Sequence, residues 1–218
     1  MNIWKFATKS VAYSPLRALE YEELQKNELS GKVLDLGGGV KASYASLFKG
    51  TYDVVSLNID ESLQPTHVAD ITKPFPLKNH EFDAAISFNT FEHIPEFETT
   101  FKETFRVLKK EGKFIFSTPF LHQVHGSPND YWRYTGSALE NLLVKNGFKV
   151  NRIIPLGKGI FVARYSLLYG AIPRILRPFF AGWAWLLDGT LSTLFSGYRK
   201  ICMQDHYPLG YFVYAEKP

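Results

Sequence analysis

The stretch that decides the fold is Val33-Leu34-Asp35-Leu36-Gly37-Gly38-Gly39. Residues 32–36 read as a short apolar strand that runs at once into three glycines, and residues 40–48 then read as a helix. A strand that ends in a glycine turn and opens a helix lets the backbone approach a ligand closely, because no Cβ stands in the way. Outward from this turn the chain alternates between strand and helix. Residues 16–29 read as a helix, 53–58 as a second strand, 67–69 as a short third and 82–88 as a buried fourth. Phe97, Phe101, Phe105 and Leu108 recur every three or four residues, which predicts a helix over 96–110 ended by Gly112. Residues 113–117 read as the next strand. Thr135 then reads as the N-cap of a helix striped by Leu139, Leu142 and Leu143 and stopped by Gly147, with a strand over 148–154 after it. Such alternation is the signature of an α/β sheet.

The glycine turn alone leaves the cofactor open. Gly37-x-Gly39-x-x-Ala42 also satisfies the nicotinamide-dinucleotide fingerprint, and Asp60 sits where either class of nucleotide site has a ribose-binding acid. Asp35 discriminates: a pyrophosphate over this turn would meet a carboxylate two residues before the first glycine, and like charges in a partly desolvated cleft repel. S-adenosylmethionine (SAM) brings an ammonium and a sulfonium instead, and a carboxylate suits it. The Tyr-x-x-x-Lys pair of short-chain reductases is absent from the sequence.

These residues resemble the class I SAM-dependent methyltransferases, particularly the type 11 group. Residues 33–39 are similar to the first motif, and Asn58-Ile59-Asp60 to the segment with the ribose acid. Ala69-Asp70-Ile71 is similar to the segment whose Asp meets the adenine amino group and whose next backbone unit lies beside the ring. Pro74-Phe75-Pro76 and residues 81–87 resemble the run into strand four, Asn89-Thr90-Phe91-Glu92-His93-Ile94 the stretch bordering the methyl donor, and residues 106–112 the approach to strand five. The resemblance spans roughly residues 30–154, with Lys41 standing where many members have a third glycine. It implies a Rossmann-like seven-stranded sheet with its last strand antiparallel, supplied by residues 211–215, and helices on both faces. It implies SAM as cofactor, bound by Asp35, Gly37, Gly38, Gly39, Asp60, Asp70, Ile71 and Asn89.

Acceptor chemistry belongs beyond the carboxyl ends of the strands. The loop over residues 117–135 packs His122, His125, Asp130, Tyr131, Trp132, Arg133 and Tyr134 into a short span, a density that points to binding or catalysis. It resembles the H-x-S-P-x-D-[FY]-W-R-[FY]-T signature of a bacterial subgroup associated with surface-sugar biosynthesis. His125 is a candidate general base, with His122 and His93 behind it; each could instead brace its loop. Asp130, Tyr131, Trp132 and Arg133 are candidate acceptor contacts. The alternatives are an Asp130–Arg133 ion pair and rings buried under the loop. The linear spacing of these histidines shows no metal-ligand pattern with a carboxylate or Cys, so no metal is expected.

At 218 residues, with 45% hydrophobic and 21% charged side chains, the chain suits a single domain. One cysteine, Cys202, and a start without the apolar core of a signal peptide fit the cytoplasm. The charge is uneven: residues 1–144 carry 15 basic and 18 acidic side chains, and residues 145–218 carry 10 and 3. Within that basic end, residues 157–198 are rich in aromatics and arginines, and Pro173 and Pro178 should break them into two or three short helices. This insertion before the last strand reads as a lid, a homodimer surface or a peripheral membrane contact. The leading expectation is methyl transfer from SAM to a small or glycan-like acceptor at oxygen. A nicotinamide-dependent reductase or epimerase, and a SAM-binding subunit without activity, are the other readings. The net charge of +4 is too weak a footprint for nucleic acid.

Overall fold

A computed structural model describes residues 1–40, 42, 44–126 and 128–218. The described residues form seven strands: β1 (Gly31–Leu36), β2 (Tyr52–Asn58), β3 (His67–Val68), β4 (Phe82–Phe88), β5 (Leu108–Pro119), β6 (Lys149–Leu156) and β7 (Gly210–Glu216). They make one sheet of order β3-β2-β1-β4-β5-β7-β6. β1 pairs in parallel with β2 and β4, β2 with β3, and β4 with β5, while the last strand runs antiparallel. This is the fold the glycine turn predicts. The helices are α1 (Ile3–Lys9), α2 (Pro15–Leu24), α3 (Phe97–Val107), α4 (Gly136–Lys145), α5 (Ile160–Leu168), α6 (Arg177–Leu194) and α7 (Ser196–Ile201).

The residues group into two compact units. A sheet unit comprises Leu24–Thr118, His125–Ile154 and Phe212–Pro218. A helical unit comprises Met1–Glu23, Pro119–Val124 and Pro155–Tyr211. The aromatic segment therefore groups with the N-terminal residues rather than standing alone.

In the sheet unit, the phenylalanine stripe of α3 is the core. Phe101 is fully buried and meets Phe91, Phe114 and Phe116 at ring-centroid distances of 5.1, 5.8 and 5.9 Å. Phe105 packs edge-on against Phe148 at 5.1 Å. α3 stops at Val107, short of the predicted 110, because the sheet captures the next few residues: Glu111 N–H donates to Lys217 O, and Lys217 N–H to Gly112 O. The Lys217 ammonium then donates to the carbonyls of Phe105 (2.5 Å) and Leu108 (2.8 Å), satisfying acceptors at the helix end. The helix expected over 40–48 is also not what forms. Among the described residues there, only Ala45–Leu47 is helical, as one 3₁₀ turn, and Lys41 lies outside the described residues.

In the helical unit, Pro178 does not break a helix but opens one, at the start of the 18-residue α6. Asp188 organises this unit. It is fully buried in α6 and accepts from the backbone N–H groups of Phe161 (3.1 Å) and Val162 (2.9 Å) at the start of α5, and from the Tyr198 hydroxyl. Gly159 makes room for it, since a Cβ there would lie 2.5 Å from the carboxylate. No helix among the described residues is long and apolar enough to cross a membrane.

Candidate functional site

The strands β2, β1 and β4 lie side by side and parallel, so Asn58, Leu36 and Phe88 end on one edge of the sheet. The glycine turn starts at that edge and is stapled from below. Gly37 has φ +84°, open to a glycine, and a Cβ there would meet Thr90 at 2.5 Å. The Asn58 amide donates to Gly37 O (2.7 Å) and Gly38 O (3.2 Å), and its carbonyl accepts from the Asp60 N–H (2.9 Å). Gly39 lies against Leu63, whose carbonyl accepts from Val40 N–H at 3.2 Å.

Asp35 sits beneath this turn. It is 1% exposed, and the Tyr44 hydroxyl lies 2.9 Å from each carboxylate oxygen. Burial pushes its pKa up to about 7, partly opposed by the Tyr44 hydrogen bond. A Cβ on Gly38 would stand 1.8 Å from Asp35 Oδ2, so the carboxylate fills the place of a side chain at 38. Asp60 is exposed and accepts from Ser62 N–H at 2.9 Å, and its bonding to Ser62 holds its pKa below the usual carboxylate value. Asp70 is half-buried and accepts from Thr72 N–H (2.9 Å) and Thr72 Oγ1 (2.7 Å), and Ile71 is buried beside it. Asn89, directly after β4, has φ +52°, the left-handed conformation that asparagine adopts more readily than most side-chain-bearing residues. Thr118 Oγ1, at the end of β5, is buried with no hydrogen-bond partner among the described residues. Three carboxylates about a glycine turn, with a left-handed residue and an unsatisfied hydroxyl beyond neighbouring strand ends, suit a cationic nucleoside that carries no phosphate.

Beyond β4, a 3₁₀ turn (Phe91–His93) carries Glu92 and His93. The loop before α4 is tied onto this turn: Tyr131 N–H donates to Glu92 O (2.7 Å), Trp132 Nε1 to Ile94 O (2.9 Å), and His93 Nδ1 lies 2.6 Å from Asn129 O. His125 comes from the same loop, its ring 5.0 Å from that of His93. Both Nε2 atoms approach one oxygen of the fully buried Glu92, at 3.7 Å for His93 and 3.8 Å for His125. Linear spacing gave no hint of this grouping, in which one ligand atom from each of Glu92, His93 and His125 lies within 4.8 Å of the others. Glu92 is not in the candidate set read from sequence, where it stands only as a member of the Asn89–Ile94 stretch after strand four.

Asp130 and Arg133 pair with each other. Arg133 donates to Asp130 at 2.5 and 2.6 Å, and Asp130 also accepts from His125 N–H at 2.9 Å. The Arg133 guanidinium holds the Asp130 pKa well below the usual range. Tyr131 and Trp132 are not buried under the loop; they are 47% and 41% exposed. Trp132 is braced edge-on against Phe97 at 5.6 Å. His122 falls in the helical unit, where its N–H donates to Phe120 O at 3.0 Å, and it is not part of the Glu92–His93–His125 group.

Strand order, glycine turn and acidic strand ends define a nucleoside-binding α/β fold of the class I methyltransferase type. Residues 34–116 match the family model Methyltransf_11, described as a methyltransferase domain. The chain thus carries a SAM-dependent methyltransferase domain, and its cofactor is SAM rather than a nicotinamide dinucleotide. Among solved structures, the [4+2]-cyclase SpnF matches with a TM-score of 0.58 and 16% identity over 92% of this chain and 81% of its own. Phosphoethanolamine N-methyltransferase 2 from Haemonchus contortus, solved with S-adenosyl-L-methionine, gives 0.58 and 17% over 91% of this chain and 52% of its own, so this chain spans about half its length. Geranyl diphosphate C-methyltransferase from Streptomyces coelicolor A3(2) gives 0.58 and 14% over 93% and 81%. At these identities the likeness is one of fold, and a cyclase among the three shows that this fold alone does not specify methyl transfer. No curated protein matches the chain.

Proposed function

We propose that this domain methylates a hydroxyl of a small or glycan-like acceptor, and that the acceptor's proton is lost at the Glu92–His93–His125 group. SAM, when bound, supplies a methyl group already activated by sulfonium. What remains for the chain is to hold SAM, seat the acceptor, exclude water and accept a proton. Asp60 and Asp70 offer carboxylates to the ribose and adenine, Ile71 and Asn89 border them, and the backbone of Gly37, Gly38 and Gly39 accommodates the methionine end. Asp35 makes the floor of that turn acidic. The observation that carries the hydroxyl reading is the pair of imidazoles converging on one buried carboxylate in the loops after β4 and β5. The outward rings of Tyr131 and Trp132 suit a sugar face, and the Asp130–Arg133 pair keeps the loop that presents them in shape. His125→Ala is expected to lower turnover by roughly 10²–10⁴-fold and leave SAM affinity unchanged. Normal turnover would remove the hydroxyl chemistry from this group. A screen of sugar and small-molecule hydroxyls with labelled methyl donor identifies the acceptor.

A second reading concerns the helical unit. Trp4, Ile175, Phe179 and Trp183 are 79%, 87%, 61% and 51% exposed, and a groove of about 290 Å³ between α1 and the first turns of α6 is lined by Trp4, Pro178, Phe179 and Trp183. Arg174, Arg199 and Lys200 are exposed in the same unit. Outward aromatics with basic side chains suit the interface of an anionic membrane, here its cytoplasmic face. Flotation with anionic liposomes at low salt tests it. Failure to float, together with a homodimer by sedimentation, would assign the surface to a second copy of the chain.

A further inference from the structure

We propose that Glu92, His93 and His125 bind a first-row divalent transition-metal ion. This deepens the hydroxyl-methylation reading and rests on it only for what the ion does, not for the ion's binding.

Four observations carry it. First, one ligand atom from each of the three side chains lies within 4.8 Å of the others, and both Nε2 atoms face the same Glu92 oxygen at 3.7 and 3.8 Å. Metal bonds of about 2.0–2.2 Å to nitrogen and oxygen set tetrahedral ligands about 3.4 Å apart, so small ring movements bring these atoms to bonding geometry.

Second, the far sides of both rings are already engaged by acceptors. His93 Nδ1 lies 2.6 Å from Asn129 O, and His125 Nδ1 lies 3.3 Å from Asp130 Oδ2. A carbonyl and a carboxylate can only accept, so these contacts favour the tautomer with the proton on Nδ1, which leaves the Nε2 lone pair on the side of Glu92. A ligating histidine ordinarily has this outer partner, which fixes its tautomer and raises its basicity. Asp130 is in turn fixed by Arg133, so the outer layer is itself braced.

Third, Glu92 is fully buried, and an ionised carboxylate at such a depth is stabilised by a cation. Fourth, the scaffold is rigid on one side and open on the other. Phe91, which begins the turn carrying Glu92 and His93, is 1% exposed and packed among three phenylalanines, whereas the His125 side chain is 35% exposed. Three protein ligands with access from solvent leave a coordination position for an outside oxygen, the arrangement of catalytic rather than structural metal sites. Two imidazoles and one carboxylate favour zinc, iron, manganese, cobalt or nickel over magnesium or calcium, which take oxygen. An acceptor hydroxyl bound at the open position would be acidified toward neutral pH and give its proton to the Glu92 oxygen that does not ligate the ion, so the proton is still lost at this group.

The test uses the full-length untagged chain, stripped with a chelator and titrated with Zn²⁺ by calorimetry and with Co²⁺ by visible absorption. One Zn²⁺ per chain is expected, with four- or five-coordinate Co²⁺ bands, no displacement of Zn²⁺ by millimolar Mg²⁺, and affinity reduced about 100-fold in Glu92→Gln and His125→Ala. Glu92→Gln keeps the shape of the buried side chain, and circular dichroism verifies that both variants are folded. Zn²⁺ binding no tighter in the unaltered chain than in folded Glu92→Gln overturns the site. SAM titrated into stripped and loaded protein separates the two layers. If SAM binds both and the stripped enzyme turns over at the full rate, the ion has no part in the reaction and methyl transfer stands. If SAM binds neither, the methyltransferase reading fails while the Zn²⁺ result still decides the site.

Discussion

The two units of this chain use aromatic residues in opposite ways. In the sheet unit, Phe82, Phe91, Phe101, Phe114, Phe116 and Phe212 are all below 2% exposure and several pack tilted or edge-on against one another. In the helical unit, Phe6 and Tyr165 are buried, but Trp4, Phe179, Trp183 and Phe195 face outward. What holds the helical unit together at its centre is a carboxylate: Asp188 joins α5, α6 and Tyr198. A high aromatic content therefore reports a core in one unit and a surface in the other, and only burial separates them.

This contrast can be broken or sharpened by substitution. The largest effect is expected from Phe101→Ala, which should cost about 3–5 kcal/mol of stability in urea unfolding. Asp188→Ala should cost less, roughly 1–3 kcal/mol, by stranding two buried N–H groups and a hydroxyl. Near-equal loss in the two variants would mean that the polar centre matters as much as the ring cluster. Asp60→Ala, at the sheet edge, should weaken SAM by roughly tenfold without lowering stability, measured by calorimetry. Unchanged affinity would contradict the ribose assignment.

Asp35 gives the contrast a pH axis. Its pKa is raised to about 7 in the folded chain, so the folded state holds a proton that the unfolded state has lost between the ordinary carboxylate value and pH 7. Its contribution to stability therefore falls as pH rises through that window and is flat above it. A cationic ligand above the turn favours the ionised form, so SAM affinity should rise up to about tenfold per unit below pH 7 and level off above. An affinity independent of pH from 6 to 8 would show that Asp35 is not felt by the ligand. The smallest stability effect is expected from Trp183→Ala, within about 0.5 kcal/mol, because about half of its surface already faces water. A loss of several kcal/mol would mean that the outward face is a core after all.

The sheet was legible because its strands are short apolar runs bounded by punctuation that acts locally. The span of β4 is Phe82–Phe88, as its pattern predicts, and Thr135 caps α4 through its hydroxyl, which accepts from Ala138 N–H at 3.2 Å. Helix ends were less legible where distant partners decide them. Nothing near Val107 announces that Lys217, far along the chain, will terminate α3. The same holds for the site. Asp60, Asp70 and Asn89 are recognised by motif, but Asn58 and Tyr44, which staple the turn, are ordinary residues until the fold brings them to it. The Asp130–Arg133 pair was readable at a separation of three residues, whereas Glu92 and His125 meet only through tertiary structure.

The missing methyl group at residue 38 has a genetic consequence. Position 38 and position 35 compete for the same few cubic ångströms, so each constrains what the other can be. Gly38→Ala should be damaging in the natural background and far milder once Asp35 is shortened to alanine. A deep mutational scan that samples pairs would then score these neighbours as strongly epistatic, and evolution could leave this glycine only by surrendering the acid beneath it in the same step.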